Sequence, residues 1–360
     1  MFKNFAGKVG RFFTGKNANL SNRQQYVYAV NQGCNTISQF SVTSFGSLVP
    51  LSDPTTAAGT TPVFIAVSPS GKNAYVANQG GNNISQYQIA ASGNLEKMAE
   101  PVAAGTAPVA IAINPSGRFA YAVNNSSNEI SQYCIGADGV LSAMSPATIE
   151  TGVVPVAISI DPSGRYAYVV NNSSHKIFQY LISETGSLQS MDPASVETNA
   201  SPRAMAIEPS GRYAYVVNRT GDNISRYKIG ATGGLSPLGE PVAAGKHPIA
   251  IVIHPSGKYA YVANQNGNSI SQYTLSGNGE LIPMTPATVV SLVTPVSIAI
   301  EASGKYAYVS NISSNNISLF AIDESGGLIA NTLNKWGDFT IAAEISPRHV
   351  AAAFLQGNSA

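Results

Sequence analysis

Charge is scarce in this sequence. Lys and Arg number 20, Asp and Glu 19, and together they make up 11% of 360 residues, under half of the roughly 25% usual for soluble domains. A near-neutral chain this poor in cations displaces few phosphate counterions, which argues against a nucleic-acid-binding surface. Hydrophobic residues reach 44%, enough for a core and too many for a disordered chain. No run approaches the ~18 uninterrupted apolar residues of a membrane-spanning helix. Only two cysteines are present, Cys34 and Cys134. They make no disulfide framework and no zinc spacing, so they read as free thiols of a reducing compartment or as incidental. The N-terminus is basic but lacks the apolar core and small-residue cleavage site of a secretory signal, so the expected location is cytoplasmic. No Gly-x-Gly-x-x-Gly and no phosphate loop occur, and no cofactor or metal is expected.

What the sequence does have is a repeat. Tyr-Val-x-Asn-like segments end at Asn31, Asn78, Asn124, Asn171, Asn218, Asn264 and Asn311, spaced by 46 or 47 residues. A period in this range, built of short strands, predicts a propeller rather than a helical solenoid. In one unit Pro108–Ile113 reads as a buried inner strand, and Pro115-Ser116-Gly117 as a tight turn. Ala120 to Val123, closed by Asn124, gives the second strand; Ile130 to Tyr133, alternating apolar with polar, gives the third. Leu141 to Thr148 supplies an irregular outer strand. Six inner strands begin at Pro62, Pro108, Pro155, Pro202, Pro248 and Pro295. A seventh begins at Pro347 near the end of the sequence, whereas Tyr26 to Phe40 form second and third strands with no inner strand before them. The expectation is an all-β, seven-bladed propeller of four-stranded antiparallel blades, its ring closed by pairing the C-terminal inner strand with the N-terminal strands. Residues 22–360 then form one propeller, expected to be a monomer, and residues 1–21 an extension.

The Pro-Ser-Gly-(Arg/Lys)-Tyr-Ala-Tyr-Val-x-Asn core, the Ile-Ser-Gln-Tyr strand and the Gly-x-Leu turn recur from about Tyr26 to Gly357. The commonest propeller repeat carries a Trp-Asp mark in each blade, and this chain has a single Trp. The repeat instead resembles the bacterial seven-bladed propellers grouped as lactonases, which include propeller-type 6-phosphogluconolactonases and muconate cyclases, with simple Tyr-Val-x-Asn surface propellers nearby. The resemblance implies hydrolysis or binding of a small anionic lactone such as 6-phosphogluconolactone. A non-catalytic interaction propeller remains the alternative, because the same repeat serves non-enzymes.

No blade has an enlarged loop between the strand-ending Asn and the following Ile, so a site must come from side-chain exceptions to the repeat. After the inner-strand Pro stand Val63, Val109, Val156, Arg203, Ile249, Val296 and Arg348. Before the Pro of the fifth blade, counted from Pro62, stands His247, beside Arg203 of the fourth. Arg348 and His349 belong to the seventh, roughly 154° round a ring that turns about 51° per blade. Two Arg and two His at a channel mouth form an anion-binding ring, with Arg suited to carboxylate or phosphate; the alternative is surface residues at loop ends. Pro347-Arg348-His349 matches a segment typical of the lactonases, which implies His349 and Arg348 as catalytic groups; Arg203, His247 and Trp336, as exceptions to the repeat, are the expected substrate-binding residues. The resemblance also implies a Glu directly after a strand-ending Asn as general base. Those positions hold Gln32, Gln79, Asn125, Asn172, Arg219, Gln265 and Ile312, so that Glu is missing. Glu129, four residues further on in the second blade, is either its substitute or a solvated loop residue.

Ser68, Asn114, Asp161, Glu208, His254 and Glu301 precede the turns at the other end of the channel and read as turn residues. His175 has no evident partner. The connection from Leu328 to Pro347 spans 19 positions against 13 or 14 elsewhere, and its extra residues include Trp336, placed either to stack on a ligand or to cover the closing seam. In the extension, Phe2, Phe5, Val9, Phe12 and Phe13 fall within about 100° of a helical wheel, with Lys3, Lys8 and Arg11 opposite. Residues 1–16 therefore read as a basic amphipathic helix for a membrane surface or a protein partner, or as a flexible tail.

Overall fold

Each unit folds into four strands because its turns leave the chain no other path. In the second blade the inner strand Pro108–Ile113, second strand Phe119–Asn124, third strand Glu129–Ile135 and outer strand Leu141–Glu150 pair antiparallel in that order. The Gly of the Gly-x-Leu turn is required twice over. Gly93 has φ of 87°, and any Cβ there would lie 2.0 Å from the Tyr26 ring of the neighbouring blade. This computed structural model describes residues 24–330 and 340–354. The extension, with its boundary at residue 21, and Trp336 lie outside the described residues.

Seven sheets form, and seven apolar clusters lie between them, one at each junction of neighbouring blades. Closure is as expected. Gln25–Asn31 pairs with Thr36–Val42 on one side and with the C-terminal strand Pro347–Phe354 on the other, and Leu48–Ala57 is the outer strand of this composite blade. The outer strand is split in the fourth blade (Leu235–Pro237 and Val242–Ala243) and in the sixth (Leu328–Ala330 and Thr340–Ala342), the latter across the long connection.

The third strand differs from the pattern its alternation predicts. Ser131 and Gln132 are as buried as Ile130 and Tyr133, because both polar side chains are used inside the ring. Ser131 Oγ accepts from Asn124 Nδ2 at 2.9 Å. Gln132 Oε1 accepts the Leu188 N–H of the next blade at 2.8 Å. Tyr133 Oη donates back to the Ala103 carbonyl of the preceding blade at 2.7 Å. In every blade the second Tyr of the repeat donates forward to a turn-glycine carbonyl, from Tyr28 to Gly93 round to Tyr308 to Gly46, over 2.5–3.3 Å.

A second stitch runs along the face where the inner strands start. The residue before each inner-strand Pro has a left-handed φ of 54–63°, rare for non-glycine residues and held only by its surroundings. Here its N–H donates to a loop side chain of the preceding blade, as Thr61 does to Asn35 Oδ1 at 2.7 Å. Its carbonyl accepts the N–H of the residue after the strand-ending Asn, as Thr61 does from Gln79 at 2.9 Å. His175 is the third blade's version of that loop side chain. Its Nδ1 accepts from the Ser201 N–H at 3.1 Å, so the residue without an evident partner in the sequence is an inter-blade latch.

Removing the C-terminal strand should expose the edge of Gln25–Asn31 and the apolar faces beside it. A chain ending before Ile345 is expected to lose most of its cooperative thermal unfolding. Melting within a few degrees of the full-length chain would overturn the composite-blade closure.

Candidate functional site

The site begins with a β-bulge. In all seven blades the register slips between the inner-strand Pro and the residue two further on, leaving the intervening residue unpaired. A bulge re-aims such a side chain, and all seven line one cavity of about 340 Å³ at the upper mouth of the channel, where the inner strands start. Five are Val or Ile; Arg203 and Arg348 are the exceptions. The next residue along each strand lines the cavity too. Four of these are Ala and one is Ser297; the large ones are Phe64 and His349, in adjacent blades. Their rings stack, with centroids 3.9 Å apart and an interplanar angle of 29°.

The structure thus brings Arg203, Arg348 and His349 into one cavity. His247 is not among its lining residues. It occupies the latch position before Pro248, with φ of 54°, its N–H donating to Asp222 Oδ1 at 2.7 Å and its carbonyl accepting from the Gln265 N–H at 2.9 Å. Glu129 also lies outside the cavity lining; its carboxylate borders Gly105. The acids before the Pro-Ser-Gly turns cap those turns, as expected. Asp161 accepts from the backbone N–H groups of Ser163, Arg165 and Tyr166 at 2.8–3.0 Å; Glu301 accepts the three equivalent groups in its blade and Glu208 the first two. Among the described residues no three His, Cys, Asp or Glu side chains stand together as a metal site.

Among the described residues no carboxylate lines the cavity, and neither Arg203 nor Arg348 has an ion-pair partner. Burial, with the positive charges of Arg348 and Arg219, lowers Arg203 to about 10; burial lowers Arg348 as well. Both guanidinium groups stay charged at neutral pH but uncompensated, so they favour an anion more strongly than surface cations would. Sequence reasoning missed Arg219. Its Nε is buried without a partner, and its charge acts on Arg203. The signal was present, because it is the one cation among the seven residues that follow a strand-ending Asn. It missed Phe64 too, the one ring besides His349 at its position in the repeat.

His349 is a poor base in this setting. Its Nδ1 is buried and unpartnered, among the described residues no carboxylate orients it, and burial lowers its pKa to about 4. At neutral pH the imidazole is uncharged but takes a proton from water weakly.

The family model for Lactonase, 7-bladed beta-propeller, matches residues 13–109, 48–150, 112–249 and 240–338. The chain belongs to this lactonase family. Solved structures agree on the fold of this lactonase-family chain. A candidate 6-phosphogluconolactonase of Bacteroides fragilis superposes with a TM-score of 0.80 at 20% identity, over 94% of this chain and 100% of that one. The periplasmic gluconolactonase PpgL of Pseudomonas aeruginosa gives 0.76 at 18% identity, over 93% and 99%. A streptogramin B lyase gives 0.58 at 14%, over 91% of each chain. No curated protein matches this lactonase-family sequence.

The histidine has a pH signature. The unfolded ring titrates near 6.5 and the folded one at about 4, so between these values the unfolded chain binds a proton that the folded chain refuses. The resulting stability is whole above about pH 6.5 and is lost as pH falls towards 4. His349→Ala, which installs the residue that four other blades carry, should melt with a flatter pH dependence across that window. Parallel melting curves for the two proteins from pH 7 to 4 would contradict the assignment.

Proposed function

We propose that the upper mouth binds a small organic anion, and that this chain is a lactonase-family binder with at most slow lactone hydrolysis. The observation that carries the reading is the pair of uncompensated guanidinium groups, Arg203 and Arg348, set about 154° apart round the ring on one cavity. At about 340 Å³ the cavity is at the small end of ligand sites. By likeness to the neighbours named as 6-phosphogluconolactonase and gluconolactonase, lactones of six-carbon sugar acids and their phosphates are the first candidates. For hydrolysis, His349 would draw a proton from the attacking water while an Arg steadied the developing oxyanion. The missing Glu and the low basicity of His349 argue for slow turnover.

Calorimetry with 6-phosphogluconate, gluconate and cyclohexanecarboxylate, beside hydrolysis of 6-phosphogluconolactone, tests both halves. Arg203→Val and Arg348→Val install the residue of the neighbouring blades and should each weaken anion binding about tenfold or more, since a hydrogen bond to a charged group contributes about 1.5–3 kcal/mol. Rapid turnover lost in His349→Ala would make the protein an enzyme instead. If wild type binds none of these anions, the site reading falls and the non-catalytic interaction propeller replaces it.

A further inference from the structure

Arg203 has a second cation in its own blade. Arg219, the residue after the strand-ending Asn218, donates its N–H to the Ser201 carbonyl at 2.9 Å, two positions before Arg203. This is a rim position: Gln79 and Asn125, its equivalents in the first and second blades, line the upper cavity. Where the position holds asparagine, the amide is engaged by the next inner strand. Asn125 Nδ2 donates to the Pro155 carbonyl at 2.9 Å, and Asn172 Nδ2 to the Pro202 carbonyl at 3.0 Å. Arg219 shows no such engagement, and its Nε is buried without a partner. Nor does the carboxylate of its own loop neutralise it. Asp222 Oδ1 accepts the His247 N–H at 2.7 Å, and among the described residues Asp222 forms no ion pair. Arg219 stands behind the cavity lining rather than on it, yet its charge still reaches Arg203 and disfavours the charged form there.

The mouth therefore has two positive poles of unequal strength. Arg203 with Arg219 behind it forms the stronger, in the fourth blade. Arg348 forms the weaker, in the seventh, about 154° round the ring. Among the described residues no carboxylate lines the space between them. A monoanion settles at the stronger pole and leaves the other uncompensated. A second negative charge at the far end of the same molecule meets that other pole, in a concave site where water screens charge poorly. We infer that the ligand of the upper mouth is a short organic dianion, with one acidic group held at Arg203 and Arg219 and the other at Arg348. This inference rests on the anion-binding reading above and narrows it by charge, not by the polarity of the ligand's body. Arg219 acts in it through the field at Arg203, as a positioning residue that the ligand does not touch.

The test uses two sugar acids of the same chain length, gluconate with one carboxylate and glucarate with a carboxylate at each end. On the wild-type full chain at neutral pH, glucarate is expected to bind about tenfold or more tightly than gluconate in calorimetry, the size of one charge-assisted hydrogen bond. Measured alongside, 6-phosphogluconate distinguishes a phosphate as the second group from a carboxylate, and should also exceed gluconate. Arg348→Val should weaken glucarate more than gluconate and so narrow their ratio. Arg219→Gln should weaken both acids in parallel, because both place a head at the stronger pole, and Arg219→Lys, which keeps the charge, should restore them. A merely structural role for Arg219 would alter the melting temperature without this rescue of binding by charge. Gluconate bound as tightly as both dianions by wild type would overturn the inference and leave the anion site standing. Equal loss of the two acids in Arg348→Val would overturn it as well, and unchanged binding in Arg219→Gln would remove Arg219 from the site. Binding of none of the three would overturn the anion site and this inference together.

Discussion

Buried side-chain hydrogen bonds that cross from blade to blade are what the ring depends on. A tyrosine hydroxyl such as that of Tyr121, fully buried and donating to the Gly186 carbonyl of the next blade, is satisfied only while the neighbour is in place. Left unpaired, it would destabilise by about 1–3 kcal/mol. The same holds for the glutamine of the third strand and for the loop side chains, mostly asparagines, that bond the N–H before each inner-strand proline. The scarcity of charge follows from this design. Neutral donors and acceptors can be buried in series between apolar sheets, whereas charges buried there would need pairing. Burial keeps these tyrosines protonated far into the alkaline range, raising Tyr133 and Tyr180 to about 12.

The fold was legible because the chain states it seven times. Period and strand signals agreed in every unit and the inner turn in six, and the inner strand missing at one end was found at the other. What could not be read was which polar residues look inward. Gln132 and Ser131 carry the alternation of a half-exposed strand, yet both are buried, because their partners come from the next blade or the next strand. His175 was opaque for the same reason. It replaces an asparagine at a latch whose other half, the Ser201 N–H, lies 26 residues away.

For the site, comparing equivalent positions worked where the backbone itself places the side chain. The bulge carries Arg203 and Arg348 into the cavity, and His349 follows in the next position. It failed for His247, two positions before the bulge residue, where the chain is fixed by two backbone hydrogen bonds and the ring is not part of the lining. Position in the repeat tells which residues are unusual, but the local backbone decides where they point. Arg219 shows the converse, since it stands just after a strand end, in a loop of ordinary length, and its charge still reaches Arg203.

The bulges carry one more consequence. Because the same slip recurs in all seven blades, the mouth amounts to seven interchangeable sockets whose occupants are independent of the sheets beneath. A single codon change at any socket alters what the mouth attracts while leaving strand pairing and the inter-blade stitches untouched. With seven sockets, charge can be set adjacent, opposite or in a triad round the axis simply by choosing which blades carry it. Divergence of ligand within this architecture therefore needs no new loop and no rearrangement of the scaffold, only a different spelling of one residue after a proline.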